Sequence, residues 1–289
     1  MKKIVKLMIL VIILINVTGC FKRDSFEDID IYTTAYPIKF ITNYLYGEHS
    51  TLHSIYPNGV NIKSYTLSKK QMNDYSKQGD LFIFNGLSKE KDYVIPMVTN
   101  NENLKIIDTS LSMEYEHEIE ELWLDPSNFL MLTQNIRNGL REYINNHYLK
   151  NEINEKYEEL RVKVSEIDAK LKLLAESSDN STIVVSSDLF KFLEKYNIKV
   201  ISLEENDELT DKTIEDVKSM IYKGEIDYIF MPEDGTVTNT IKEVQQQTNV
   251  ELQKVHSIAN LTEEQINENK DYLSLMNENI DFLRNELYD

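Results

Sequence analysis

The chain alternates between short apolar runs and longer segments in which apolar residues recur every three or four positions. Short runs bounded by polar or turn residues are typical of strands, and the longer spacing is typical of amphipathic helices. Strands are predicted at residues 29–33, 53–56, 81–84, 104–108, 182–185, 199–203, 228–231 and 251–255. Helices are predicted at residues 37–46, 68–77, 126–145, 188–196, 212–222, 238–247 and 270–287, with Ser68 as a helix cap.

Between the two halves, apolar residues are spaced alternately four and three positions apart. They are Ile153, Tyr157, Leu160, Val164, Ile167, Leu171 and Leu174, in a segment without Gly or Pro from 148 to 178. This spacing predicts one long helix. Its apolar seam could pair with a partner helix in a coiled coil, or pack along its own chain. The seam is short and a new α/β pattern follows it, which favours packing within the chain.

Strands that alternate with helices pair in parallel, so the pattern predicts two α/β lobes with parallel-type sheets joined by one long linking helix. The predicted N-terminal lobe covers residues 29–146, the linking helix residues 147–178 and the C-terminal lobe residues 179–289. A chain of this length can build two modest cores. Because clefts between lobes are common ligand sites, we expect the ligand there.

The N-terminus has the pattern of a secretory signal. A basic start at residues 1–6 leads into an apolar run too short to span a bilayer comfortably, and small residues then precede Cys20. Cys20 is the only cysteine in the chain. An ordinary signal peptide with an incidental cysteine would explain the apolar run, but the position of the lone cysteine favours a lipid anchor.

Small residues before a lone cysteine resemble a bacterial lipobox. This resemblance implies that residues 1–19 are removed and that residues 20–28 form a lipid-anchored tether. Cys20 would carry a diacylglycerol and a second acyl chain such as palmitate, because one chain alone binds a membrane only marginally. We therefore expect the mature protein on the extracytoplasmic face of the cell membrane.

The charge of the chain limits its partners. The formal net charge is −18, and removal of residues 1–19, which hold three lysines and no acid, brings it to −21. Such a surface argues against nucleic acid and anionic lipid as partners of the protein body. A cationic ligand fits the sign of the charge, and so does a surface that is merely soluble.

The sequence contains no motif that supports catalysis. It has no Gly-rich phosphate loop and no G-x-S-x-G elbow. The histidines form neither an HExxH nor an HxH cluster, and Cys20 is assigned to the lipid. We therefore expect that the protein is not an enzyme.

Several segments, in order along the chain, share the character of one protein family. They are Tyr32–Pro37, Tyr56–Val60, Asp80–Gly86, Leu122–Pro126 and Lys270–Met276. Together they resemble the metal-binding solute-binding lipoproteins of bacterial ABC importers, the zinc and manganese receptors once called adhesin-like. The resemblance runs from about residue 29 to the C-terminus, and the tryptophan segment is its most specific part.

This resemblance implies a fold, a ligand and partners. The family fold has two α/β lobes and one rigid linking helix, which permits only small closure motions. The family holds zinc or manganese between the lobes with four side chains, mostly His, and carboxylates. It acts with the permease and ATPase subunits of a metal importer, and we expect a monomer.

The four ligand positions of the family fall on a mixed set of residues here. Lys63 occupies the first, Glu121 the second, Ser187 the third with Asp188 beside it, and His256 the fourth. Glu121 and His256 can ligate a metal, whereas the protonated amine of Lys63 would repel a cation. Oxygen-rich ligands would favour manganese or another hard ion over zinc.

A weaker site could combine Glu121 and His256 with Asp188 or Glu233. Each of these has a structural alternative: Asp188 as a helix cap, Glu233 as a solvated loop acid, and His256 as an ordinary histidine at a strand end. We expect Lys63 and Glu121 to face each other as an ion pair that occupies part of the space of a metal.

The sequence thus predicts an extracytoplasmic substrate-binding lipoprotein of a zinc- or manganese-type ABC transporter with an atypical ligand set. The alternative is a surface adhesion or interaction lipoprotein that keeps the fold and has lost metal binding. The altered ligand positions support this alternative. A ligand-dependent change in stability would separate the two.

Overall fold

Two parallel four-stranded sheets organise the part of the chain that the computed structural model describes, residues 26–178 and 181–288. The predicted signal segment, Cys20 and the start of the tether lie outside these residues. The first sheet contains β1 (Ile29–Thr33), β2 (Ser50–Ser54), β3 (Leu81–Phe84) and β4 (Lys105–Asp108), in the order β2-β1-β3-β4. The second contains β5 (Thr182–Val185), β6 (Lys199–Ser202), β7 (Tyr228–Pro232) and β8 (Glu251–Val255), in the order β6-β5-β7-β8. The predicted α/β class with two parallel-sheet lobes is confirmed.

Helices connect the strands and cover the sheets. They are α1 (Tyr36–Tyr46), α2 (Lys69–Gln78), α3 (Lys91–Asn100), α4 (Glu121–Leu124), α5 (Pro126–Tyr143), α6 (His147–Ser177), α7 (Asp211–Tyr222), α8 (Asn239–Thr248), α9 (Glu263–Asn267) and α10 (Tyr272–Leu287). Short 3₁₀ segments lie at Gly47–His49 and Asp188–Tyr196. Ser68 caps α2 as predicted, because its hydroxyl accepts a hydrogen bond from the N–H of Gln71 at 3.2 Å.

Strand β3 is one of the two central strands of the first sheet and is apolar throughout. Leu81, Phe82 and Ile83 are fully buried, as expected for a parallel strand that is covered on both faces. The register places Ile31 of β1 opposite Leu81 on one side and Leu52 on the other. In open parallel sheets, ligands bind at the loops that follow the carboxyl ends of the strands.

Helix α6 is 31 residues long and links the two sheets. Its buried positions are Leu149, Ile153, Tyr157, Leu160, Val164, Ile167, Leu171 and Leu174. This face packs against α1, α5 and α10, so the predicted apolar seam packs within its own chain. In the described part of the chain, none of the helices combines the length and apolarity that a membrane span requires.

Two elements differ from their predicted form for local reasons. Strand β2 covers Ser50–Ser54 and not the predicted residues 53–56, and the Ser54 hydroxyl accepts a hydrogen bond from the N–H of Tyr56 at 3.2 Å where the chain turns. Segment Asp188–Tyr196 is a 3₁₀-helix and not an α-helix. Its buried residues include Leu189 and Phe192, and spacing of three residues matches the three residues per turn of a 3₁₀-helix.

Helix α3 was not predicted from the sequence. It contains Pro96 in its interior, where proline normally breaks a helix. Only Tyr93 and Met97 of this helix are buried, so its apolar periodicity is weak. The short helices α4 and α9 have too few residues to show a period at all.

The two lobes contact each other through more than the linking helix. The indole N–H of Trp123 donates to the carbonyl of Ser257 at 2.8 Å, and the hydroxyl of Tyr272 donates to the carbonyl of Trp123 at 2.6 Å. The ring of Tyr272 stacks on Phe129 with centroids 3.9 Å apart. Residues after β8 are thus fixed to the N-terminal half of the molecule.

Candidate functional site

A cavity of about 280 Å³ lies between the lobes. Loops that follow β5, β6 and β7 form one wall, and the segments at residues 61–63 and 118–120 form the other. Five carboxylates and one lysine of the described chain line it: Glu118, Glu120, Glu204, Glu205, Asp234 and Lys63. The cavity is therefore acidic, and both lobes contribute to it.

Lys63 joins two of these carboxylates. Its Nζ lies 2.8 Å from Oε2 of Glu118 and 2.9 Å from Oε1 of Glu120. The predicted ion pair of Lys63 with Glu121 is therefore wrong: Lys63 pairs with Glu118 and Glu120 instead. The Glu121 carboxylate accepts from the backbone N–H of Glu116 at 3.4 Å and of His117 at 3.3 Å.

The difference between Glu120 and Glu121 follows from helix geometry. Helix α4 begins at Glu121, and successive residues of an α-helix point about 100° apart. Only one of the two side chains can face the cleft, and the buried ring of Trp123 fixes the rotation of the helix. The structure places Glu120 in the cleft and Glu121 under the acidic loop that precedes the helix.

Glu120 is more deeply buried than Glu118, the other carboxylate that pairs with Lys63. Its side chain is 4% exposed, and its Oε2 has no hydrogen-bond partner among the described residues. Burial raises the pKa of Glu120, and the neighbouring Lys63 opposes this shift. The ionised form of Glu120 therefore depends on a cation beside it.

Lys63 is less buried, with a side chain that is 48% exposed. Burial lowers its pKa, but Glu120 and Glu118 outweigh this effect and raise the pKa above the ordinary value. Lys63 is thus an ammonium at neutral pH.

Hydrogen bonds from neighbouring residues hold the backbone that carries Lys63. The side-chain oxygen of Asn61 accepts from the N–H of Lys63 at 2.9 Å and of Ser64 at 3.2 Å. The amine of Lys89 donates to the carbonyl of Lys63 at 2.9 Å and to that of Tyr65. These hydrogen bonds hold the backbone of the loop in place.

Ser187 lines the cavity, whereas Asp188 next to it does not. The N–H of Asp188 donates to Oε2 of Glu204 at 2.9 Å, and its carboxylate lies 3.4 Å from Nζ of Lys191. Asp188 faces a separate cavity of about 370 Å³ in the C-terminal lobe. Its expected capping role is not seen either, since Ser187 is the residue that precedes the 3₁₀ segment and no side-chain cap bond forms.

His256 and Glu233 contact each other outside the cavity. Nδ1 of His256 lies 2.9 Å from Oε2 of Glu233, and Nε2 lies 3.0 Å from Oε2 of Glu278 on α10. Burial lowers the pKa of His256, but the two carboxylates outweigh it and raise the pKa. A metal needs a deprotonated ring nitrogen, and this arrangement favours the imidazolium.

The structure thus brings together only part of the predicted set. Lys63 and Ser187 meet at the cavity, while Glu121, Asp188, Glu233 and His256 do not line it. Within residues 26–178 and 181–288, no group of three or more His, Cys, Asp or Glu side chains is arranged to hold a metal ion.

Sequence reasoning missed most of the acidic wall. Glu204 and Glu205 follow the end of β6, and Asp234 follows the end of β7. Loops after parallel strands are the places where such sheets bind ligands, so these positions carried a usable signal. Glu118 and Glu120 lie in the acidic stretch before Trp123, where only the rotation of α4 decides which residue faces the cleft.

A cleft between two parallel-sheet lobes on a single linking helix defines a class of two-lobed solute-binding proteins. The family model of the zinc-uptake complex component A, periplasmic, or ZnuA, matches residues 31–286. The chain therefore belongs to the ZnuA family of metal-binding solute-binding proteins of ABC importers. The predicted family is confirmed.

Solved structures share this fold at low sequence identity. The Zn(II)-bound ZnuA-like domain of AdcA from Streptococcus pneumoniae matches with a TM-score of 0.73 and 18% identity, over 91% of this chain and 100% of that one. The metal-dependent lipoprotein YcdH from Bacillus subtilis matches with 0.74 and 15%, over 91% and 100%. The periplasmic zinc-binding protein TroA from Treponema pallidum matches with 0.71 and 15%, over 91% and 100%. A search of curated protein sequences finds no significant match.

Proposed function

We propose that the protein is an extracytoplasmic substrate-binding lipoprotein of a metal-ion ABC importer, with an oxygen-rich ligand set in its cleft. The observation that carries this proposal is the acidic cavity between the lobes, to which both lobes contribute carboxylates. Carboxylate oxygens suit manganese and other hard divalent ions better than zinc. Manganese is therefore the first candidate ligand and zinc the second.

The ion would bind after a change in the N-terminal wall. Glu118 and Glu120 would supply carboxylate oxygens from one lobe, and Glu204, Glu205 or Asp234 would supply them from the other. The loops that carry Glu204, Glu205 and Asp234 directly follow strands β6 and β7. The loaded protein would deliver its ion to the permease, with the ATPase subunit driving transport.

Thermal unfolding of the metal-stripped mature chain tests this proposal, read out by the fluorescence of its single tryptophan, Trp123. The ions to compare are Mn, Zn, Fe, Ni, Co and Mg. An ion at about 100 times its dissociation constant adds roughly 2.7 kcal/mol to the stability of the native state, which raises the melting temperature by several degrees. Unchanged melting with every ion would contradict the proposal.

Neighbouring glutamates provide a matched pair of variants for this test. Glu120→Gln is expected to abolish the shift because it removes a buried carboxylate from the cavity wall. Glu121→Gln removes the same charge one residue away and is expected to keep the shift. The opposite result would restore Glu121 as the ligand.

The lipid anchor is the second part of the proposal and rests on the pattern around Cys20. Cys20→Ser is expected to abolish lipid attachment, because no thiol remains for the diacylglycerol. Mass spectrometry of the mature N-terminus measures the lipid directly. A mature protein that stays membrane-bound after this change would contradict the anchor.

One observation favours a second candidate, a surface interaction lipoprotein that keeps the fold without binding metal. The Lys63 ammonium already pairs with Oε2 of Glu118 at 2.8 Å and with Oε1 of Glu120 at 2.9 Å. If this pair is permanent, no ion raises the melting temperature of the wild-type protein.

A further inference from the structure

Lys63 lies between two cavities. The cleft between the lobes has a volume of about 280 Å³, and a neighbouring cavity in the N-terminal lobe has a volume of about 360 Å³. Lys63 and Glu118 line both. The second cavity also contacts the rings of Tyr56 and Tyr115, and it offers room for a long side chain that leaves the cleft.

In the cleft, the ammonium of Lys63 neutralises two carboxylates that would otherwise repel each other. Glu120 cannot obtain this compensation from water, because its side chain is 4% exposed. Its Oε2 has no partner among the described residues, so even with Lys63 in place one oxygen is unsatisfied. The amine of Lys63 contacts only Oε1 of Glu120. A cation that contacted both oxygens of Glu120 would also satisfy Oε2.

We propose that Lys63 is a built-in cation of the cleft, and that a divalent ion binds there only when the Lys63 side chain moves out. Lys63 thereby sets the affinity of the site and excludes weakly bound ions. This inference rests on the proposed metal-binding function. It assigns Lys63 the role of a specificity-determining residue and not of a ligand.

The geometry permits this exchange. The side chain of Lys63 is 48% exposed, and its backbone is held by Asn61 and Lys89, so the amine can move while the loop stays in place. A lysine side chain is flexible, and its ammonium is readily hydrated when it leaves the carboxylates. A divalent ion carries twice the charge of the ammonium and can replace it opposite Glu118 and Glu120.

Isothermal titration of the mature chain with Mn²⁺, and separately with Zn²⁺, tests the proposal. Lys63→Met removes the competing charge and keeps the length of the side chain. It is expected to tighten binding at least tenfold, which corresponds to about 1.4 kcal/mol. Lys63→Gln serves as a second neutral variant if the methionine variant does not fold.

Two further variants make the test specific. Lys218→Met is the matched control, because Nζ of Lys218 also lies 2.9 Å from two carboxylates, Glu215 and Glu243, but on α7 and α8 outside the cleft. It is expected to leave the affinity unchanged. Lys63→Met combined with Glu120→Gln is expected to lose the gain, because the carboxylate that needs the cation is then absent.

Chemical labelling tests the movement in the wild-type protein. Acetylation of Lys63, measured by mass spectrometry, is expected to become several-fold faster when Mn²⁺ or Zn²⁺ is bound, while that of Lys218 stays constant. Faster labelling supports displacement of the amine. An ion that binds without changing the labelling of Lys63 overturns the inference.

The outcomes separate this inference from the function on which it rests. If wild type and Lys63→Met bind an ion equally well, Lys63 has no such role and the proposed function stands. If only Lys63→Met binds, Lys63 blocks the cleft as inferred and the wild-type protein is not a receptor for that ion. If folded forms of both bind neither ion, the inference and the metal-binding proposal are both overturned.

Discussion

His256 is enclosed by acceptors on both ring nitrogens. Glu233 follows β7 and Glu278 belongs to α10, so the imidazole joins a loop of the second sheet to the last helix. The Nε2 of Gln265 also donates to Glu233 at 3.0 Å, and the N–H of His256 donates to the side chain of Asn279 at 2.8 Å. In this structure His256, a candidate metal ligand, joins the second sheet to the C-terminal helix.

This contact predicts a pH-dependent stability. Burial lowers the pKa of His256, but Glu233 and Glu278 raise it above the ordinary value of 6.5. Because the folded pKa exceeds the unfolded one, the stabilisation is complete below about pH 6.5 and is lost as pH rises through the folded pKa. His256→Gln is expected to cost about 1.5–3 kcal/mol at pH 6 and less at pH 9, measured by urea unfolding with a chelator present.

A control for this prediction is His53, whose ring lies 2.7 Å from Asp30 in an exposed pair. Exposed pairs contribute little, so His53→Gln is expected to change stability by less than about 1 kcal/mol. If His256→Gln costs the same free energy at both pH values, the charged imidazole does not stabilise the fold.

At the scale of elements, the close approach of α5 to β4 depends on one glycine. A Cβ at Gly139 would lie 2.6 Å from Cγ1 of Ile107 and 2.7 Å from its Cδ1. Ile107 is buried on β4, so it has little room to withdraw. Gly139 lowers the intrinsic stability of α5, but a larger residue at this position would clash with Ile107.

Gly139→Ala is expected to destabilise the protein by up to about 2 kcal/mol. Overpacking costs about 1–3 kcal/mol, and the better helix propensity of alanine returns about 1 kcal/mol. Urea unfolding measures the change. Gln134→Ala, at an exposed position of the same helix, is the control and is expected to be neutral or slightly stabilising. A stabilising effect of Gly139→Ala would mean that Ile107 can move aside.

The same scale shows what the sequence could predict. The linking helix was predicted almost to the residue, because its apolar spacing continues over three heptads in a segment without Gly or Pro. Most strands were predicted because buried parallel strands are short continuous apolar runs, as at Leu81–Phe84. Helix α3 was missed because Pro96 and its few buried residues hide the period.

The cleft was less predictable than the fold. Whether Glu120 or Glu121 faces Lys63 depends on the rotation of the short helix α4, which is set by contacts of Trp123 that no local pattern records. His256 resembled a ligand by its place after a strand, but the carboxylate that occupies Nε2 comes from α10, far along the chain. The roles of Glu120, Glu121 and His256 therefore depend on burial and on partners that are distant in the sequence.

At the scale of the whole molecule, the lobes are tied to each other at several points beside the linking helix. The N–H of Tyr36 donates to the carbonyl of Ala259 at 2.9 Å, and the N–H of Gly59 donates to that of Leu261 at 2.8 Å. The side chain of Asn260 donates to the carbonyls of Pro57 at 2.7 Å and Val60 at 3.1 Å. A wide hinge motion would break these bonds together.

Small-angle X-ray scattering of the mature chain, with Mn²⁺ or with a chelator, measures this rigidity. The radius of gyration is expected to change by less than about 1 Å, because backbone shifts in preorganised binding proteins are of that size. Asn260→Ala removes two of the ties and tests whether they limit the motion. A decrease of several ångströms in the wild-type protein would instead indicate hinge closure. With little closure available, a permease would have to distinguish the loaded from the empty protein by local changes at the cleft, such as the proposed displacement of the Lys63 side chain.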